Sequence, residues 1–140
     1  SRTNILASSG SASHTILVGD LLDIDFVKSV FKNHTINLII FCAAKWNGIN
    51  QDPTVLDVNV TMFNNVLSSL NESVCNFIFL SSSAVYSKEP FNDSEVTELL
   101  PKSTYGKSKL INEILLLNKA KQNKKECIFK RSPFKKKNFI

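Results

Sequence analysis

The chain has 140 residues, of which 43% are hydrophobic, and a formal net charge of +5, which predicts one globular domain with a core. No stretch approaches the roughly 18 consecutive apolar residues of a membrane span, so an integral membrane protein is not expected. Residues 119–140 hold nine Lys/Arg and one acid (net +8), whereas residues 1–118 hold eight against eleven (net −3). The basic character therefore belongs to the C-terminal stretch, and nucleic acid is not the expected partner of the domain.

The cysteines and the N-terminal residues give an expectation for the cellular compartment of the protein. Cys42, Cys75 and Cys127 are widely spaced and odd in number, which fits neither a disulfide framework nor a zinc site. The opening stretch SRTNILASSGSASH has no charged region followed by an apolar one, as a secretory signal would. We expect reduced thiols in a cytoplasmic protein.

Four short apolar runs, rich in Ile, Val, Phe and Leu, predict strands. In chain order they are TILVG (15–19), NLIIF (37–41), NFIFL (76–80) and CIFK (127–130). The middle two are almost unbroken apolar, which is typical of strands buried on both faces. We expect the four strands to lie side by side and parallel, because stretches long enough for crossover helices separate them.

Three stretches between the strands have the spacing of amphipathic helices. The first, 23–34, offers Asp23 or Asp25 to its first turn. The second, 53–70, begins with Pro53, which suits a first helical position. It carries more apolar residues than one core-facing stripe needs, so part of its surface should be covered by another surface. The third runs from Ser103 to about residue 122.

Small or polar residues follow each predicted strand. They are Gly19-Asp20, Cys42-Ala43-Ala44, Ser81-Ser82-Ser83 and Arg131-Ser132-Pro133. Ligands of parallel sheets gather beyond the carboxyl ends of the strands. The sequence therefore predicts that a flat cofactor approaches the backbone at this edge.

The stretch STYGKSK (103–109) places Tyr105 four residues before Lys109. Such a spacing arises by chance in roughly one comparable sequence in five, and an exposed helix pair is the alternative interpretation. Residues four apart share a helix face. A lysine cation there favours the phenolate and should lower the tyrosine pKa from its usual value near 10. The pair would then suit general acid–base chemistry.

Glycine is scarce where a dinucleotide fold normally uses it. The chain has four glycines, Gly10, Gly19, Gly48 and Gly106, and none forms a G-x-G-x-x-G or G-x-x-G-x-x-G pattern. Such a pattern would normally follow a first strand and open a helix. Residues 7–13, ASSGSAS, read as a loop rather than a phosphate cradle.

The order of GDLLD, FCAAK, DVNV, NFIFLSSSAVYS and STYGKSKLINE resembles the NAD(P)-dependent epimerase/dehydratase family, the extended short-chain dehydrogenases/reductases. Residues 76–113 are especially similar to UDP-glucose 4-epimerases, and the resemblance covers about residues 15–133. It implies an α/β fold, a Rossmann-like doubly wound parallel sheet. The sheet is expected to be incomplete, lacking the first βα unit with its glycine loop and the C-terminal sugar-binding region.

The resemblance also implies a division of the chain and a set of site residues. Residues 1–14 would be irregular, 15–133 a partial NAD(P)-binding domain and 134–140 a basic tail. The implied catalytic residues are Ser82 (with Ser81 and Ser83 as neighbours that could replace it), Tyr105 and Lys109. The implied cofactor-binding residues are Asp20, Leu21, Ala43, Ala44, Lys45, Asn59, Tyr105, Lys109 and Arg131.

Simpler interpretations stand beside several of these roles. Asp20 is suited to capping the following helix, and Asn59 to being an ordinary polar helix residue. Residues 81–83 are suited to a turn after a strand. SRT at the start resembles the residues after the family's second strand, where Arg2 would mark NADP.

The resemblance implies an NAD(P)-dependent nucleotide-sugar epimerase, dehydratase or reductase that transfers hydride at a sugar carbon. It also implies a homodimer formed through the helices near 54–70 and 103–121. The alternative is a truncated, non-catalytic remnant whose basic tail binds nucleic acid or anionic surfaces. Because the glycine cradle is missing, we expect no turnover from this chain and NAD(P) affinity no better than about millimolar.

Overall fold

A computed structural model describes residues 3–9, 13–46, 52–74, 76–86, 99–123 and 127–130. Three helices and five strands occupy most of these ranges. In chain order they are β1 (Thr3–Ser9), β2 (Ser13–Gly19), α1 (Ile24–Asn33), β3 (Leu38–Phe41), α2 (Thr54–Ser69), β4 (Asn76–Leu80), α3 (Thr104–Asn123) and β5 (Cys127–Lys130), with a 3-10 turn at Ser83–Val85.

A parallel sheet of three strands in the order β3-β4-β5 forms the centre. Phe41 of β3 lies opposite Phe79 of β4, and Phe77 of β4 lies opposite Cys127 of β5. Each strand is reached through a helix, as parallel pairing requires. Three of the four predicted parallel strands are therefore confirmed, and their carboxyl ends meet at one edge.

The fourth predicted strand pairs differently. β2 pairs antiparallel with β1, from Thr3 opposite Gly19 to Ser9 opposite Ser13, in a separate two-stranded sheet. The prediction that 15–19 lies parallel beside the other strands is therefore wrong, and residues 1–14 contain β1 where an irregular segment was expected. A nearby antiparallel partner satisfies the backbone hydrogen bonds of β2 without a crossover connection.

Aromatic side chains fill the space between the parallel sheet and the helices. The ring of Phe63, on α2, lies edge-on to Phe41 with centroids 5.0 Å apart and 4.8 Å from the ring of Phe79. Phe63 and Phe79 are fully buried. On the opposite face of the sheet, Leu38 and Ile40 are exposed by 49% and 57%. The helices therefore cover one face, and this packing fixes α2 and α3 against β4.

The three predicted helices are confirmed. Asp23 caps α1, since its carboxylate accepts hydrogen bonds from the Asp25 and Phe26 amides. Pro53 occupies the N-cap of α2 rather than its first turn. The apolar residues of α2 are buried or half-buried, and the large exposed apolar side chains among the described helix residues include Ile114 and Leu117 of α3. None of the described helices combines the length and apolarity needed to cross a bilayer.

Candidate active site

The exit of β4 carries the first of the candidate catalytic side chains. Ser82 begins the 3-10 turn, where its hydroxyl oxygen accepts the Ala84 amide at 3.2 Å. The side chains of Ser82 and Tyr105 share a hydrogen bond. Ser81 is buried instead, and its hydroxyl has no hydrogen-bond partner among the described residues. Of the three serines in the run, the structure joins Ser82 to Tyr105.

Tyr105 lies in the first turn of α3, which is held close to that 3-10 turn. The Ser103 hydroxyl accepts the Gly106 amide at 2.9 Å, and the Ser103 carbonyl accepts the Lys107 amide at 2.9 Å. A Cβ at Gly106 would lie 2.2 Å from the Ala84 carbonyl oxygen. Gly106 is therefore needed for the close approach that brings Tyr105 to Ser82.

Lys109, one turn further along α3, points at the end of β4. Its ammonium donates a 2.8 Å hydrogen bond to the Leu80 carbonyl. The same nitrogen lies 4.8 Å from the ring centroid of Phe79 and 5.6 Å from that of Tyr105. The side chain is buried, with 3% of the residue exposed. Ser82, Tyr105 and Lys109 thus converge beyond the carboxyl end of β4, as predicted for the strand exits.

Burial has the largest effect on the pKa values of Tyr105 and Lys109. Desolvation raises the pKa of Tyr105, and the hydrogen bond from Ser82 acts against that rise. Desolvation lowers the pKa of Lys109 to about 8, while nearby Cys42 and Glu113 act in the opposite direction. The expected lowering of the Tyr105 pKa by Lys109 is therefore wrong: the pKa is raised, because the phenolate loses hydration on burial.

The turn after β2 holds Asp20 and Leu21. The Asp20 carboxylate accepts the Leu22 amide at 2.9 Å, and the side chain of Leu21 is buried in the core with 4% of the residue exposed. The interpretation of Asp20 as the cap of the next helix is wrong, because Asp23 takes that position. Asp20 instead shapes the turn that leads into α1.

The loop after β3 contains three predicted cofactor residues. Ala43 packs partly against the core, and Ala44 is exposed. The Lys45 ammonium hydrogen-bonds the Thr54 hydroxyl at 2.9 Å and lies 3.5 Å from the Asp52 carboxylate. The side chain of Lys45 is thus engaged at the start of α2, which leaves the two alanines as the small residues beside the strand exit.

Asn59 is buried, with 2% exposed, and its side chain bonds protein groups. Its amide oxygen accepts the Lys45 amide at 2.6 Å. Its amide nitrogen donates to the Lys45 carbonyl at 3.0 Å and to the Ser108 hydroxyl at 3.1 Å. The Ser108 hydroxyl in turn donates to the Tyr105 carbonyl at 2.7 Å. Asn59 therefore ties the loop after β3 to the helix that carries Tyr105.

Sequence reasoning missed two residues of this arrangement, Ser108 and Asn65. Ser108 is fully buried between α2 and α3. Asn65 donates from its amide nitrogen to the Leu21 carbonyl at 2.9 Å. Their nearest sequence signal is a polar residue inside an otherwise apolar helical stripe. Arg2, Arg131 and the basic tail 134–140, with the nucleic-acid alternative that depends on the tail, lie outside the described residues.

The residues at this edge fit part of a dinucleotide. Lys109 offers an ammonium donor, Ser82 and Tyr105 offer hydroxyls, and Ala44 leaves room for a flat group beside the backbone. The sequence contains no glycine-rich phosphate turn, so the fit concerns the nucleoside ends rather than the pyrophosphate. Within the described ranges, no three His, Cys, Asp or Glu side chains are grouped to hold a metal ion.

Comparison with known proteins identifies a family that matches most of this chain. The model of the NAD dependent epimerase/dehydratase family matches residues 2–132. No significant match was found among curated protein sequences.

Similar solved structures include nucleotide-sugar enzymes. A UDP-Glc/GlcNAc 4-epimerase from Campylobacter jejuni is 30% identical with a TM-score of 0.73, and the match covers 81% of this chain and 36% of that chain. A UDP-glucose 4-epimerase from Brucella ovis, solved with NAD, is 26% identical with a TM-score of 0.72, over 81% and 36% of the two chains.

A third structure, RMD from Pseudomonas aeruginosa complexed with NADPH, shares the fold. It is 23% identical with a TM-score of 0.71, and the match covers 81% of this chain and 41% of that chain. The chain thus spans about two fifths of the length of these proteins. The parallel sheet with its helices is the Rossmann-like part that they have in common.

Proposed function

Because this chain belongs to the NAD-dependent epimerase/dehydratase family, we propose that it carries the hydride-transfer half of a nucleotide-sugar epimerase or dehydratase. The reacting group would be a sugar carbon that bears a hydroxyl. This substrate class is that of the 4-epimerases with similar structures.

One observation supports the proposal most strongly: Ser82 and Tyr105 share a side-chain hydrogen bond beside the buried Lys109. A sugar hydroxyl placed next to both oxygens would be within reach of Tyr105 as acid or base. Ser82 would hydrogen-bond the reacting oxygen and hold it toward the phenol. β4, the 3-10 turn and α3 hold Ser82, Tyr105 and Lys109 in place before substrate arrives. This lowers the entropic cost of orienting the reacting groups.

The proton is proposed to move at the phenolic oxygen of Tyr105. Burial raises the pKa of that phenol, so it is held protonated and ready to donate at neutral pH. Taking a proton requires the phenolate, which a nearby cation stabilises. The Lys109 nitrogen lies 5.6 Å from the Tyr105 ring centroid, where its positive charge would act against the rise that burial causes in the Tyr105 pKa.

The cofactor is proposed to be NAD or NADP. A bound nicotinamide accepts and returns the hydride. Lys109 would donate to a ribose hydroxyl, Ala43 and Ala44 would border the ribose and phosphates, and Asp20 with the Leu21 backbone would border the adenine. Asn59 is proposed to act through the Lys45 loop, because its amide bonds protein groups. The predicted contact of Arg131 stays a prediction.

The proposed partners are a nucleotide sugar and a second copy of the chain. The dimer would form through the helices near 54–70 and 103–121. Exposed Ile114 and Leu117 on α3 support this surface, whereas the exposed residues of α2 are polar. The proposed compartment is the cytoplasm, on the cysteine pattern alone.

A lysine pair on α3 tests the proposal. Lys109→Met removes the buried ammonium, and Lys107→Met removes an exposed one two residues away. We expect Lys109→Met to weaken NAD(P) binding about tenfold or more, because hydrogen bonds to charged groups are worth about 1.5–3 kcal/mol. Lys107→Met should have no effect. Equal affinities for both variants and the unmodified chain, measured by calorimetry, would reject the proposed cofactor site.

A further inference from the structure

The turn between β2 and α1 is fastened to α2 by one side chain. The Asn65 amide nitrogen donates to the Leu21 carbonyl at 2.9 Å and to the Leu22 carbonyl at 3.1 Å, across more than forty residues of sequence. Inside the turn, the Asp20 carboxylate accepts the Leu22 amide at 2.9 Å. The backbone of the turn is thus held from outside by Asn65 and from inside by Asp20.

The same helix holds the neighbouring strand exit. Asn59 bonds both backbone groups of Lys45, in the loop after β3. Positions 59 and 65 are separated by about 9 Å along a helix axis, at 1.5 Å per residue. A single rigid element therefore sets the spacing between the loop that holds Ala43 and Ala44 and the turn that holds Asp20 and Leu21.

We propose that Asn65 is a positioning residue for the adenine end of the dinucleotide, acting through the backbone of the turn at 20–22. This inference rests on the proposed function, because it requires that turn to border the adenine. Asn65 would not itself touch the cofactor. It fixes the direction in which the Asp20–Leu21 backbone faces, while the buried Leu21 side chain keeps the turn attached to the core.

Loss of the amide should loosen the turn without unfolding the domain. The turn is partly exposed, so water can replace the two hydrogen bonds to the Leu21 and Leu22 carbonyls. A turn that samples several orientations binds adenine less well, because ordering it then becomes part of the binding cost. Asn59 holds the Lys45 loop and, through Ser108, the helix that carries Tyr105 and Lys109, so the groups proposed for the other end of the dinucleotide should be unaffected.

The test uses half-ligands and three asparagines. ADP probes the adenine end and nicotinamide mononucleotide the other end, with dissociation constants measured by NMR titration of the full chain. We expect Asn65→Ala to weaken ADP binding about three- to tenfold and to leave the mononucleotide unchanged. Asn64→Ala, at an exposed neighbouring position, should change neither constant.

Asn71→Ala is the structural control. Its amide nitrogen also donates to a backbone carbonyl, that of Phe31, at 3.1 Å, but at the end of α1 rather than at a strand exit. It should lower the melting temperature and leave both dissociation constants unchanged. Asn65→Leu, which matches the shape of asparagine without its donors, replaces Asn65→Ala if that variant does not fold.

The outcomes separate the two proposals. If the unmodified chain binds neither half-ligand, the proposed function fails and the role of Asn65 fails with it. If the chain binds both, and Asn65→Ala or Asn65→Leu leaves ADP binding unchanged or weakens both ligands equally, only the role of Asn65 is overturned. Selective loss of ADP binding supports it.

Discussion

The ammonium of Lys109 donates a 2.8 Å hydrogen bond to the carbonyl of Leu80, the last residue of β4. This bond joins the second turn of α3 to the end of a strand, so it places the helix that carries Tyr105 relative to the sheet. It also buries the charge, and burial lowers the pKa of Lys109 to about 8. The consequences of that burial can be measured.

Lys109 should make the stability of the domain rise with pH between about 8 and 10.5. Its pKa is lowered from 10.5 on folding, so in this window the unfolded state binds more protons than the folded state, and the free energy of unfolding increases with pH. The stabilisation is fully present above about 10.5 and is lost as the pH falls through 8. The resulting change in the free energy of unfolding is at most on the order of 3 kcal/mol.

Urea unfolding of the chain and of Lys109→Met at several pH values measures this effect. The difference between the two should grow across the window, and Lys107→Met should behave like the unmodified chain. The raised pKa of Tyr105 has the opposite sign and acts only above its usual value near 10. Identical pH slopes with and without Lys109 would contradict the burial of its charge.

Gly106→Ala should separate Tyr105 from Ser82. The new methyl group would meet the Ala84 carbonyl at 2.2 Å, and such overpacking costs about 1–3 kcal/mol. Relief requires α3 to move away from the 3-10 turn, which breaks the bond between Ser82 and Tyr105. Since that bond lowers the Tyr105 pKa, its loss should raise it further.

Ultraviolet titration in a Tyr86→Phe background reads this pKa, because the chain has two tyrosines. Lys107→Ala, at the exposed position next to Gly106, is the matched control. An unchanged Tyr105 pKa in Gly106→Ala, together with unchanged stability, would show that the helix does not depend on the glycine.

A charged residue on the exposed apolar stripe of α3 should dissociate the proposed dimer. Ile114 and Leu117 are exposed by 49% and 39%, and a buried unpaired carboxylate at an interface is costly. We expect Ile114→Glu and Leu117→Glu to be monomeric in analytical ultracentrifugation with little change in melting temperature. Ile40→Glu, at an exposed apolar position on the sheet, should remain dimeric. A monomeric unmodified chain at high concentration would contradict the dimer.

The local sequence pattern was enough to predict the three parallel strands, but it did not predict which strand β2 pairs with. β3 and β4 are short, almost unbroken apolar runs between helical stretches, which favours neighbouring parallel strands. TILVG has the same local character, but a run of β-branched residues does not say which strand it pairs with. β2 pairs antiparallel with β1, its neighbour in sequence, in a separate two-stranded sheet, where its apolar character suggested a place beside the parallel strands.

The candidate site likewise has a part that could be predicted from the sequence and a part that could not. The shared face of Tyr105 and Lys109 follows from helical spacing, and a polar strand exit at residues 81–83 can be read locally, whereas the choice of Ser82 as their partner came from the family resemblance. The hydrogen bonds of Asn65 and Ser108 join segments that are far apart in sequence. Neither hydrophobic periodicity nor a sequence motif predicts such bonds. Burial of Lys109 against Phe79 and of Tyr105 likewise depends on tertiary packing, which is why the predicted lowering of the Tyr105 pKa was wrong.

The measurement closest to the central claim is an NMR titration of the isotopically labelled chain with NAD and with NADP. We predict that amide signals of Leu21, Ala44, Ser82, Tyr105 and Lys109 shift together, with a dissociation constant on the order of millimolar, because the sequence contains no glycine cradle for the pyrophosphate. A micromolar constant would contradict the predicted weakness of binding. The absence of shifts at all five residues at about 10 mM dinucleotide would contradict the cofactor site itself.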